Sequence, residues 1–95
     1  MIGNAPKYLV KLYSITMNQN KFKTLVANAL KVKISKINME LKIGDLKAWD
    51  SLGHLSILSA LDKLTKGKAS KIKGLGTATS LKKIWEKLKK NNLTK

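Results

Sequence analysis

The chain has 95 residues and a formal net charge of +15, because 20 Lys and no Arg face five acidic residues. A chain of this length forms one domain with one modest core. It has no Cys and a single His, His54, which argues against a disulfide framework and a zinc cluster. It also has no secretory signal and no apolar stretch near the ~20 residues of a transmembrane helix, so we expect a cytoplasmic protein.

The positive charge favours contact with nucleic acid, an anionic membrane or acidic proteins. Arg supplies the planar fork that grips phosphate and guanine, and its absence argues against specific nucleic-acid recognition. A solvated surface explains much of the charge equally well. The alternative function is therefore that of a basic helical module, which binds nucleic acid or anionic membrane nonspecifically through Lys clusters in residues 63–73 and 82–90.

Residues 1–19 are predicted to form a flexible N-terminal extension. Residues 1–16 contain no acid, and their apolar spacing fits an amphipathic arm, a targeting piece or a disordered tail. A first helix follows, with Asn20 as its N-cap. Its apolar residues have the spacing of a helix with one buried face: Phe22, Leu25, Val26, Ala29 and Leu30.

Residues 32–48 have a looser apolar pattern that partly alternates, with a turn signal at Gly44 and Asp45. A strand is disfavoured because no second convincing strand pattern exists to pair with it. We expect a long ordered loop pinned by its apolar residues, with room for one helical turn. Loops of this length in a small domain are often functional.

The helical pattern returns after Asp50, itself a typical N-cap. This second helix is predicted to end near Gly67, before a lysine-rich stretch anchored by Ile72 and Leu75. It carries four leucines at steps of three: Leu52, Leu55, Leu58 and Leu61.

A last helix is predicted to begin after a cap at Thr79 or Ser80. Its buried face is predicted from the same spacing as in the first helix: Leu81, Ile84, Trp85 and Leu88. The sequence therefore predicts an all-α fold, a small four-helix bundle of three main helices and one short helix with a long first loop. The domain is expected over residues 20–90, followed by a tail at 91–95.

Enzymatic catalysis is not expected, and no catalytic residue or metal site is assigned. The five acids are scattered, without the paired carboxylates that acid-base chemistry needs. Ser51 and His54 lie one turn apart on the predicted helix but lack an orienting acid. We expect His54 to face solvent or a partner.

The segment DSLGHLSILSALDKL, residues 50–64, resembles the modification segment of acyl carrier proteins. Residues 22–52 resemble that family's first helix and long loop in order and spacing, and residues 77–88 resemble its closing helix. The likeness covers about residues 20–90. It implies that Ser51 carries a phosphopantetheine arm, which comes from coenzyme A and is attached through a phosphodiester bond. It also implies that the protein is a carrier in fatty-acid or other lipid metabolism.

The resemblance also assigns roles around Ser51. Asp50 matches the family's acidic neighbour, and Leu52 matches a residue that contacts partner enzymes, with His54 as a further candidate. Acyl or aminoacyl intermediates would be held as thioesters, and longer chains would enter a cavity between the helices. The candidate lining residues, equally well explained as core, are Leu55, Leu58 and Leu61.

Charge is where this chain departs from the family. Acyl carrier proteins usually present an acidic second helix, whereas this one offers only Asp62 beside Lys63 and Lys66. The expected partners are a phosphopantetheinyl transferase and acyl-loading and acyl-transfer enzymes with acidic docking surfaces. The reversed sign makes a specialised pathway as defensible as ordinary fatty-acid synthesis. The carrier is expected to be a monomer.

Overall fold

A computed structural model describes residues 17–94 and shows an all-helical fold, as predicted. Three α-helices follow one another, α1 (Gln19–Leu30), α2 (Ser51–Leu64) and α3 (Leu81–Lys90). A 3₁₀ turn at Ile34–Lys36 lies between α1 and α2, and another at Ala69–Lys71 lies between α2 and α3. Residues 17–94 contain no β-strand, only two isolated bridges. The amphipathic arm considered for residues 1–16 lies outside the described residues.

Each α-helix begins at a polar cap that satisfies a free backbone amide. For α1 the cap is Asn18, whose Oδ1 accepts from the amide of Lys21 at 2.8 Å, and not Asn20 as predicted. The Asn18 carbonyl also accepts a hydrogen bond from the amide of Phe22. The helical bonding therefore starts two residues before the predicted cap at Asn20. Ser80 caps α3 by accepting from the amide of Lys83 at 3.2 Å.

The three helices bury their apolar faces in one core, which confirms the helical stripes of α1 and α3. The rings of Phe22 in α1 and Trp85 in α3 meet with centroids 5.2 Å apart, a separation typical of favourable aromatic pairs. The helical core residues are Phe22, Val26, Ala27, Leu30, Ile57, Leu61, Leu81, Ile84, Trp85 and Leu88.

Core residues also lie outside the predicted domain limits of 20 and 90. Met17 is 1% exposed and Leu93 is 4% exposed, and the Met17 amide donates to the Leu93 carbonyl at 3.1 Å. Met17 and Leu93 therefore pair and contribute buried side chains to the core, although both lie outside the predicted limits of residues 20 and 90.

The segment that leads into α2 is fastened to the start of α3. The amide of Ile43 donates to the Thr79 carbonyl at 2.8 Å, and the amide of Leu81 donates to the Leu41 carbonyl at 3.0 Å. After α2, the buried hydroxyl of Thr65 accepts from the amide of Ala69 at 2.9 Å. The two bonds to the start of α3 join residues far apart in sequence and hold the first connection against that helix. The Thr65 bond is local and holds the start of the second connection against the end of α2.

The predicted anchors after α2 are confirmed. Leu75 is 3% exposed, and Ile72 packs partly buried against the core. None of the helices within residues 17–94 is long and apolar enough to cross a bilayer.

Candidate functional site

Ser51 is the first residue of α2 and is exposed. Asp50 before it is extended and forms the N-cap, its Oδ1 accepting from the amide of Gly53 at 2.9 Å. The Asp50 carbonyl accepts from the amide of His54 at 2.8 Å. Cap and first helical bond thus fix the backbone on both sides of the Ser51 hydroxyl.

The start of α2 is a suitable place for a phosphate. The amides of Ser51 and Leu52 precede the first intrahelical bond, which the amide of His54 makes. Free amides and the positive end of the helix dipole favour an anion there. The Asp50 carboxylate opposes an anion by its charge, which the hydrogen bond from the Gly53 amide to Oδ1 offsets only in part.

A buried tryptophan supports the site from within the molecule. Trp49 is completely buried, its carbonyl accepts from the amide of Gly44 at 3.0 Å, and its amide donates to the Leu46 carbonyl at 2.9 Å. Gly53 lets this segment approach α2, because a Cβ there would collide with the Ala48 carbonyl and crowd Leu30. The chain before Ser51 therefore lies directly against the first turn of α2.

His54 does not face solvent or a partner, contrary to the prediction. It is 8% exposed, and both ring nitrogens are bonded. Nδ1 accepts from Nε1 of Trp49 at 3.2 Å, and Nε2 lies 3.0 Å from the carbonyl oxygen of Gly76. Since Trp49 can only donate, the ring proton belongs on Nε2, which donates to Gly76.

The four leucines of α2 have four different environments. Leu52 is 73% exposed and Leu55 is 61% exposed, whereas Leu58 is half-buried and Leu61 is fully buried. Leu52 is thus accessible to a partner. Leu55 lies on a shallow surface cleft beside Ala29, so its predicted role in an interior cavity is wrong. Leu61 belongs to the core.

Leu58 alone of the predicted cavity residues lines a cavity next to the site. This cavity measures about 210 Å³ and lies between α2 and the connection to α3. Its lining is mostly apolar: Leu58, Ala69, Ser70, Ile72, Leu75 and Gly76. Gly76 is also the carbonyl partner of His54, so the first turn of α2 and the cavity wall are linked by one hydrogen bond.

Lysines border the site on the side of the first connection. Lys31, Lys33, Lys36 and Lys47 surround a depression of about 520 Å³. Its lining includes Ala48, the residue whose carbonyl packs on Gly53. A positive surface therefore adjoins the start of α2.

Sequence reasoning placed Asp50, Ser51 and Leu52 at the site but missed Trp49, Gly53 and Gly76. A glycine inside the first turn of an otherwise good helix was the available signal for a close backbone approach.

Residues 17–94 hold no group of three His, Cys, Asp or Glu that could bind a metal. Comparisons with family models, curated proteins and solved structures found no match to this chain.

Proposed function

We propose that the chain is a carrier protein of the acyl-carrier type, which holds acyl or aminoacyl groups on a phosphopantetheine arm attached to Ser51. The proposal rests on one observation, an exposed serine at the first position of a capped helix, beside the exposed Leu52. The short fourth helix predicted from the sequence is not confirmed, because the connection between α2 and α3 contains only the 3₁₀ turn Ala69–Lys71. This carrier would act as a monomer in the cytoplasm.

The residues around Ser51 fit the attachment chemistry. The Ser51 oxygen would attack the phosphorus of coenzyme A that bears the pantetheine, forming a phosphodiester while adenosine 3′,5′-bisphosphate leaves and the hydroxyl proton is released. The amides of the first turn favour the resulting anion. When bound, the arm supplies a thiol for thioester formation. This chain's residues position the attachment point and offer Leu52 to visiting enzymes.

The partners we propose are enzymes with acidic docking surfaces around an apolar centre. Leu52 and Leu55 are two of the three large apolar side chains that are exposed in residues 17–94. Lys31 and Lys47 lie on the adjoining depression, and Lys63 is exposed on α2. Opposite charge at such a rim governs encounter rate and partner choice more than affinity.

The test is incubation with a broad-specificity phosphopantetheinyl transferase, magnesium and coenzyme A, followed by intact mass measurement. Wild type should gain the mass of one phosphopantetheine group, and Ser51→Ala should gain nothing. Ser56→Ala is the matched control, because Ser56 is exposed on the same helix, and it should load like wild type.

A gain on Ser51→Ala equal to that of wild type would disprove the assignment. If wild type gains nothing, the assay is repeated with the transferase of the source organism, which would accommodate the basic surface. A second negative result rejects the modified carrier. A native protein that stays unmodified yet binds a partner would indicate a scaffold that has kept the carrier fold.

Polyanion binding is the second candidate function, and a cleft on α3 favours it. The cleft measures about 720 Å³. It is lined by Gly74, Thr77, Ala78, Lys83, Glu86, Lys87, Lys89 and Lys90. A salt titration with duplex DNA or anionic vesicles distinguishes the functions, because nonspecific binding through lysines weakens steeply as salt rises. Affinity that persists at physiological salt would support this candidate.

A further inference from the structure

His54 makes the longest-range side-chain hydrogen bond near the site. Its Nε2 reaches the Gly76 carbonyl, 22 residues along the chain, at 3.0 Å. Trp49 fixes the other side of the ring through the 3.2 Å bond to Nδ1, and the two ring planes differ by 20°. A ring held in its plane at both nitrogens has one tautomer and little freedom to rotate.

The bond to Gly76 has a specific consequence for the cavity beside α2. Gly76 and Leu75 line this cavity together with Leu58 of α2. The wall that contains Leu75 and Gly76 carries the backbone bonds from Leu75 to Ile72 at 3.3 Å and from Ala78 to Leu75 at 3.1 Å. Such single-turn bonds hold a segment weakly by themselves. The His54 bond adds a tie to α2.

We propose that His54 is a positioning residue that latches the wall containing Gly76 against α2 and so limits the length of apolar chain that the cavity admits. The apolar lining by Leu58, Ile72 and Leu75 suits a short acyl chain, and the volume of about 210 Å³ is small. A longer chain requires the wall to move outward, which breaks the hydrogen bond to His54. The identification of the apolar ligand as the acyl cargo of a carrier protein rests on the proposed function. The hydrogen bond by which His54 holds the wall does not.

Amide hydrogen exchange in the full, unmodified chain tests the latch. His54→Leu removes both ring bonds but keeps an apolar side chain. Loss of a net hydrogen bond should speed exchange of the Leu75 and Ala78 amides roughly five- to tenfold relative to amides of α1. Phe22→Leu is the control, because a core change that leaves both His54 ring bonds in place should speed all the slowest amides together. Uniform acceleration in His54→Leu would show that the ring is only core packing and overturn the latch.

Methyl NMR of Leu58, Ile72 and Leu75 then tests chain length. In wild type, butyryl-pantetheine should shift these methyl signals and decanoyl-pantetheine should not, whereas in His54→Leu both should. Equal shifts by decanoyl-pantetheine in both proteins would overturn the limit on chain length, as would no shift by either probe. Ring nitrogen spectra of wild type should show the proton on Nε2, and a proton on Nδ1 would contradict the network. None of these readouts requires loading of Ser51, so a failure of loading alone would reject the carrier function and leave the latch standing.

Discussion

Asp50 combines two assignments in one residue, because it caps α2 and precedes the proposed attachment serine. Replacing a capping Asp by Ala costs about 0.5–2 kcal/mol of stability, and the amide of Gly53 would lose its acceptor. We therefore expect Asp50→Ala to lower the free energy of unfolding by about 1 kcal/mol in urea denaturation. Asp50→Asn keeps an acceptor oxygen and, because Asp50 is exposed, should lose only a charge interaction with the helix dipole of about 0.3 kcal/mol.

The two variants also separate folding from modification. If Asp50→Asn is as unstable as Asp50→Ala, the side chain does not act as a cap. If Asp50→Asn folds normally but loads slowly with the transferase, the carboxylate has a role in partner engagement beyond the cap.

The contrast between Asp50 and His54 shows which residues were predictable. Asp50 bonds to an amide three residues away, and a local rule for helix starts anticipates such a partner. His54 depends on Trp49 on one side and on Gly76 on the other. No periodicity in the sequence brings Gly76 to the ring, so the burial of His54 could only come from the fold.

At the scale of the helix, α2 shows why four evenly spaced leucines do not form one face. Three residues cover about 300° of an α-helix, so each step falls about 60° short of a full turn. From Leu52 to Leu61 the side chains rotate by about 180°, which matches their passage from the most exposed to fully buried. The true buried face contains Gly53, His54, Ile57 and Leu61. In α3, whose spacing follows the helical period, the predicted and observed faces agree.

Contact between α2 and the preceding segment depends on the missing side chain of Gly53. Alanine there would gain about 1 kcal/mol of helix propensity. Its Cβ, however, would collide with the Ala48 carbonyl, a backbone atom that cannot rotate away. Overpacking of this kind costs typically about 1–3 kcal/mol. We expect Gly53→Ala to be destabilised despite its better propensity, with a lower midpoint in urea.

Ser59→Ala is the matched control for the Gly53 variant. Ser59 is exposed on the same helix, so alanine there should leave stability unchanged or raise it slightly. A Gly53→Ala protein as stable as Ser59→Ala would mean that the segment before Ser51 does not lie against α2. The proposed support of the attachment site by Trp49 and Ala48 would then fail as well.

Across the whole molecule, lysines far outnumber the acidic residues that could neutralise them. Residues 17–94 contain 17 Lys and five acids, so even complete one-to-one pairing leaves 12 Lys without an acid. Lysines occur on α1, α2, α3 and both connections. A net charge this far from zero destabilises a compact state through self-repulsion, while it also biases which surfaces can approach.

The melting temperature should therefore rise with ionic strength, since the screening length falls from ~30 Å at 0.01 M to ~8 Å at 0.15 M salt. Each kcal/mol of relieved repulsion corresponds to about 4–8 °C in a domain of this size. Scanning calorimetry of wild type and of a double variant, Lys36→Glu with Lys73→Glu, measures this. Both positions are exposed and outside the α-helices, so the variant should melt higher in dilute buffer and respond less to salt. A melting temperature of wild type that stays flat would mean that the lysines are too dispersed to repel one another, and the charge would then bear on partner choice alone.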